Sequence, residues 1–144
     1  MKTEKLLFEI HDADIAQAIQ ALEQKTSGEL RVYVTSQSVT DTLTAAWKAF
    51  ARLGMNRTSL RNAALIFVAP EAQKFAIIHD QGYVGKTDPA FWQTLATQLQ
   101  QGFRAGAYTT TLVQVIAQAA DHMAQIFPPK PNDTNEVPDT LIRD

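Results

Sequence analysis

A three-layer α/β/α sandwich around a small mixed sheet is the α/β fold predicted for this chain, and three observations predict it. Apolar residues recur at helical spacing in four segments, and three short apolar runs lie between them. In order these elements are αβαββαα, an arrangement that covers a sheet with helices on both faces.

From Asp12 to Lys25, Ile15, Ala18, Ile19 and Leu22 recur at i, i+3, i+4 and i+7, and Asp12 stands where it can cap the first-turn amides. Thr26-Ser27-Gly28 ends this helix. The run ELRVYVT alternates Leu30, Val32 and Val34 against Glu29, Arg31, Tyr33 and Thr35, a strand with one buried face and another at least partly wet. Asp41 to Leu53 repeats the helical pattern through Leu43, Ala46, Trp47 and Phe50, with Gly54 as the stop. The strands AALIFVA and KFAII follow, joined by a tight turn from Pro70 to Gln73. Both residue parities are apolar here, so helices are expected on both faces and the pair is expected to lie centrally in the sheet. Asp88-Pro89 starts a helix with Phe91, Trp92, Leu95 and Leu99 inward, Pro suiting its first position. The last helix, about Thr109 to Gln125, carries Leu112, Ile116, Ala119 and Met123, with Ile126 just beyond.

One domain is expected over residues 1–127, followed by a Pro-rich acidic segment over 128–144. This segment reads as a tail or an extended arm, which Val137, Leu141 and Ile142 could dock on a groove. A 45% hydrophobic content suffices for one real core. The formal net charge of -2 argues against nucleic acid as a partner. With no Cys, disulfides, thiolate metal sites and Cys nucleophiles are excluded. The apolar run Leu6, Leu7, Phe8 is cut by Glu9, short of a secretory leader, and no segment approaches the roughly 18 apolar residues of a membrane span. A soluble, cytoplasmic protein without membrane insertion is expected.

The polar residues gather at one end of the strands. A hairpin sets Arg61 and Asn62, before the second strand, beside Asp80, after the third. A strand-helix-strand crossover makes the first two strands parallel, which brings Glu29 to the same end. Asp80, followed by Gly82, leaves room for a ligand or ion to approach the backbone; the alternative is a turn Asp satisfying nearby amides. Glu29 would complete a two-carboxylate oxygen site for Ca²⁺ or Mg²⁺, or else form a salt bridge to Arg31 or Arg61. Arg61 offers a planar fork for phosphate or carboxylate, with Arg57, Arg52 and Lys48 adding positive charge nearby in sequence. Asn62 either donates to a ligand or closes the turn. His11, His79 and His122 lack metal-ligand spacing, and His79 points to the face opposite Asp80. Asp12, Asp14, Asp41 and Asp88 fall at helix starts, where capping accounts for them. GxSxG, Walker, HExxH and dinucleotide motifs are absent. Asp133 to Glu136 hints at a Ca²⁺-loop alternation without EF-hand spacing.

The strings TSGELRVYV, AFARLGMNRTSLRNAALIFVAP, KFAIIHDQGY, FWQTL and FRAGAY, in this order, resemble the TPM domain family, named after thylakoid-lumen, photosystem II and nematode receptor-associated members. The resemblance runs from about Ile10 to Phe127. It implies an α/β/α sandwich, divalent-cation binding, often of Ca²⁺, and an acid phosphatase activity proposed for some members, while others resemble assembly or accessory factors. Many relatives carry a leader and a membrane segment, which this sequence departs from. Carried over as site positions are Asp80, Gly82 and Tyr83, with Arg61 and Asn62. An aspartyl nucleophile at Asp80 would want a second acid two residues on, where Gly82 stands. The catalytic alternative is therefore metal-assisted attack of water, with Glu29 and Asp80 as ligands and Arg61 on the phosphoryl oxygens. The expected function is a cation-binding interaction or accessory module, and the expected partner is a protein or a small phosphorylated ligand.

Overall fold

The computed structural model describes residues 10–70, 73–129 and 141–144. Its elements are α1 (Asp12–Lys25), β1 (Glu29–Val34), α2 (Thr42–Arg52), β2 (Ala63–Ala69), β3 (Lys74–His79), α3 (Pro89–Arg104), α4 (Tyr108–Ile126) and β4 (Ile142–Arg143), with single 3₁₀ turns at Met55–Arg57 and Gln81–Tyr83. Strand order in the sheet is β3-β2-β1-β4. β1 and β2 are parallel, from Glu29 opposite Ala63 to Val34 opposite Val68, while β2 and β3 are antiparallel, with Ala64 opposite His79. The sheet is thus mixed, as the sequence predicts.

Alternate strand residues feed two cores, which is what makes the architecture three-layered. Leu30, Val32 and Val34 of β1 and Ala64, Ile66 and Val68 of β2 join Ile15, Ile19 and Leu22 of α1, Leu95 and Leu99 of α3, and Leu112, Ile116 and Met123 of α4. On the other face Tyr33, Leu65, Phe67 and Ile78 pack on Ala46, Ala49 and Phe50 of α2 and on Met55. Each fully buried Leu, Ile or Phe contributes about 1.5–3 kcal/mol of transfer free energy. Sheet position therefore follows from helices closing on both sides.

Several expectations need correction. All of β1 is buried, not one face only, since on the other parity Tyr33 packs against α2 and Glu29 and Arg31 are enclosed as well. Arg31 on that parity is enclosed with its guanidinium on the Glu23 carboxylate of α1, and Tyr33 stacks on Phe67 with ring centroids 5.6 Å apart. β2 is central as predicted, whereas β3 is an edge strand with mostly half-buried side chains. In α2 the inward stripe is Ala46, Ala49 and Phe50, and Leu43 and Trp47 are exposed. Phe91 of α3 is half-buried, while Trp92, Leu95 and Leu99 face inward.

Helix starts divide into two kinds. Asp41 accepts from the amide of Thr44 at 3.2 Å and from its hydroxyl at 2.8 Å, and Asp88 accepts from the amide of Ala90 at 3.0 Å ahead of Pro89. Both are side-chain caps. Helix α1 instead starts after His11 with no side-chain cap, and Asp12 takes the guanidinium of Arg143 at 2.6 Å.

That ion pair belongs to a strand the sequence pattern did not mark. Ile142 and Arg143 pair in parallel with Tyr33 and Val34 of β1, and Leu141 is buried in the first core. The docking residues named above are thus Leu141 and Ile142, while Val137, the Asp133–Glu136 alternation and the apolar run at Leu6–Phe8 lie outside the described residues. Among the described residues no helix is long and apolar enough to cross a membrane.

Candidate functional site

The chain reaches β2 through a strained step. Arg61 has φ 53°, a left-handed conformation that costs a non-glycine residue about 1–2 kcal/mol. Its carbonyl accepts the amide of Gly82 at 2.8 Å, and the amide of Asp80 donates to Ala63 at 3.0 Å. The step into β2 and the step out of β3 are thereby laced together.

Arg61 and Asp80 then meet directly. Nε of Arg61 donates to one carboxylate oxygen at 2.6 Å and Nη2 to the other at 2.9 Å, a bidentate pair. The amide of Gln81 adds a third donor at 2.7 Å and opens the 3₁₀ turn. Asp80 is 4% exposed at its side chain and Arg61 40%, so the carboxylate is enclosed and its cation faces solvent. Hydrogen bonding to Asp80 raises the Arg61 pKa above its ordinary value. The turn reading of Asp80 is realised in its bond to the Gln81 amide, and the same carboxylate holds Arg61 at the strand ends.

Gly82 serves a different purpose from the one expected. A Cβ there would lie 2.5 Å from the carbonyl oxygens of both Leu60 and Arg61, so the missing side chain makes room for the protein's own backbone. Tyr83, fully buried, donates its hydroxyl to the carbonyl of Asn62 at 2.9 Å, and burial raises its pKa. The Asn62 side chain donates to the Ser27 hydroxyl at 3.2 Å. Asn62 therefore ties the 26–28 turn to the start of β2. Gly28 completes this seam, since a Cβ on it would meet Met123, the Tyr83 hydroxyl and the Asn62 carbonyl within 3.0 Å.

Glu29 is buried opposite Ala63 in the sheet register. With the Asp80 amide bonded to the Ala63 carbonyl, the two acidic residues flank Ala63 from the strands on either side. At the usual strand spacing their backbones stand about 10 Å apart. Among the described residues no three His, Cys, Asp or Glu side chains form a metal-binding group. His79 keeps to the opposite face as expected, its ring against Tyr83 and Trp92. His122 stacks on Phe91 at 3.9 Å and shares the Thr87 hydroxyl with the indole N–H of Trp92, while burial lowers its pKa.

The family follows from comparison with known proteins. The TPM domain model matches residues 2–122. The chain belongs to the TPM domain family. Among solved structures, the NMR structure of the BA42 protein from the psychrophilic bacterium Bizionia argentinensis superposes with a TM-score of 0.84 at 33% identity, covering 100% of this chain and 95% of that one. No curated protein matches. The TPM domain match spans every element from α1 into α4, and with it all of Glu29, Arg61, Asn62 and Asp80.

Lys48 and Arg52 do not join Arg61 in this TPM domain. They line a separate cavity at the C-terminal end of β1, with Tyr33, Thr35 and Asp144. Nothing in the sequence pattern marks Asp144, Thr35 or Ser27 as members of polar clusters. The partners that join them into these clusters lie at least 35 residues away along the chain, beyond the reach of any local motif.

Proposed function

We propose that this TPM domain acts as an interaction or accessory module whose strand-end site answers to a divalent cation, Ca²⁺ or Mg²⁺. The observation that supports this is the charge arrangement at Asp80: an enclosed carboxylate whose countercharge among the described residues is the Arg61 guanidinium, 40% exposed. A hard cation favours carboxylate oxygens, backbone carbonyls and water. Swinging Arg61 outward frees one Asp80 oxygen and leaves the other with only the Gln81 amide, with Glu29 as the second acid across Ala63. Two carboxylates are few for such an ion, so carbonyls and water complete its shell and binding is weak. The ion would supply a countercharge that releases Arg61, and the freed guanidinium is the group that meets an anionic partner surface.

A second reading, a weak acid phosphatase, is favoured by the exposed edge of Arg61, which suits phosphoryl oxygens. In it Arg61 orients the phosphomonoester, Asn62 borders it, and Glu29 and Asp80 would hold a metal ion, which would supply a water activated for attack.

Titration with Ca²⁺ and Mg²⁺ followed by amide NMR, beside a phosphate-release assay, separates these. Expected are saturable shifts confined to the amides of residues 61–63 and 80–82, lost in Asp80→Asn and weakened in Glu29→Gln, without turnover. No shift with either cation would remove the ion site. Turnover abolished by both substitutions would favour the phosphatase.

A further inference from the structure

The Asp144 carboxylate sits in a seat built for it. The Tyr33 hydroxyl donates to one oxygen at 2.9 Å, the Ser36 amide donates to the other at 2.8 Å, and the Thr35 hydroxyl lies 2.7 and 2.9 Å from the two. Tyr33 and Thr35 are 6% and 3% exposed, so these two hydroxyls are fixed by burial, and the third donor, at exposed Ser36, is a backbone amide rather than a loose side chain. Behind them Nη2 of Arg52 donates to the Tyr33 hydroxyl at 3.0 Å, which points the phenolic proton at the carboxylate. The seat lies at the C-terminal end of parallel strand β1, the end where open α/β sheets take ligands.

Beside the seat opens a cavity of about 340 Å³, within the size range of small-molecule sites. Its wall carries Lys48 and Arg52 against Asp41 and Asp144. Asp41 is committed to capping α2. If Asp144 withdraws, two cations face one capped carboxylate and the cavity becomes net positive.

We propose that this cavity is a binding site for a small dicarboxylate, and that Asp144 is its in-chain occupant. One ligand carboxylate takes the place of Asp144 on Tyr33, Thr35 and Ser36, and the second extends into the cavity toward Lys48. The class follows from the donors: Tyr33 meets one oxygen, Ser36 the other and Thr35 lies within reach of both, a pattern that fits the two oxygens of a single carboxylate. Because Asp144 belongs to the same chain, it competes for the seat intramolecularly while a ligand competes from solution. The resting state is therefore the latched one, and ligand binding and release of β4 are coupled.

The test uses the full chain, with succinate as the probe and inorganic phosphate as the control. In Asp144→Ala, succinate is expected to shift the Ser36 amide saturably, at least tenfold more tightly than in wild type. Adding Arg52→Gln or Lys48→Gln to that variant is expected to weaken binding fivefold or more. Wild type supplies a measurement independent of whether the variant folds: rising succinate is expected to shift Ser36 while the Asp144 amide, bonded to the Val34 carbonyl, loses hydrogen-exchange protection in step. Absence of a saturable Ser36 shift in folded Asp144→Ala, or of any coupled loss of protection in wild type, overturns the proposal. Phosphate binding as tightly as succinate overturns the dicarboxylate class.

Discussion

Asp80 shows how a residue's identity and its employment come from different sources. Its position at the end of β3 was legible from the hairpin, and so was its neighbourhood with Arg61. That Arg61 would bind it bidentately was not, since the contact depends on Arg61 holding φ 53° at the entry to β2. Gly82 carries the same lesson, because its lack of a Cβ is used by two backbone carbonyls and not by a ligand. Gly82 has no positive φ, so its requirement is one of space, whereas Gly85 has φ 78° and open space around it. Gly82→Ala is expected to destabilise by about 3 kcal/mol through overpacking, and Gly85→Ala by about 1 kcal/mol through backbone strain alone. Denaturant melts of the two variants check this, and an equal loss for both would contradict the packing account.

At the scale of the element, β4 is held by its side chains more than by its ladder. Leu141 enters the first core, Arg143 donates to Asp12 and to the carbonyl of Ile10, and Asp144 fills its seat beside Tyr33. The sequence marked Leu141 and Ile142 as able to dock, but a two-residue strand carries no periodicity to find. Charge on Asp144 governs this latch. Burial raises its pKa, yet hydrogen bonds from the Thr35 hydroxyl, the Ser36 amide and the Tyr33 hydroxyl, together with the Arg52 charge, outweigh burial and leave it below the ordinary carboxyl value. A carboxyl with a depressed folded pKa contributes stability that is present above its unfolded pKa and lost as pH falls through the folded one. Protection of the Asp144 amide is therefore expected to be flat from neutral pH down to the ordinary carboxyl range and to fall below it. In Asp144→Asn that pH dependence should vanish; its persistence would assign the effect to another group.

Across the whole molecule, β1 and β2 supply alternate side chains to two cores, so neither core forms without the same two strands. Leu65, fully buried on the α2 side, lies between Ala64 and Ile66 on the other. Leu65→Ala is expected to cost about 3 kcal/mol. The loss should be equal by the fluorescence of Trp47 on α2 and Trp92 on α3, each read in a variant with the other Trp replaced by Phe. Two separate transitions would show that the layers unfold independently. By itself the sequence determined where the helices run, the parallel pairing of β1 and β2, the hairpin and the family, because periodicity, caps and turns act over a few residues and a crossover constrains handedness and direction. Tertiary structure alone decided that β3 is an edge, that β1 is buried on both faces, that Arg61 neutralises Asp80, and that Asp144 returns to Tyr33 from 111 residues away. Those outcomes depend on which surfaces and charges remain unsatisfied after the local elements have formed, and only the assembled chain brings their partners within hydrogen-bonding distance.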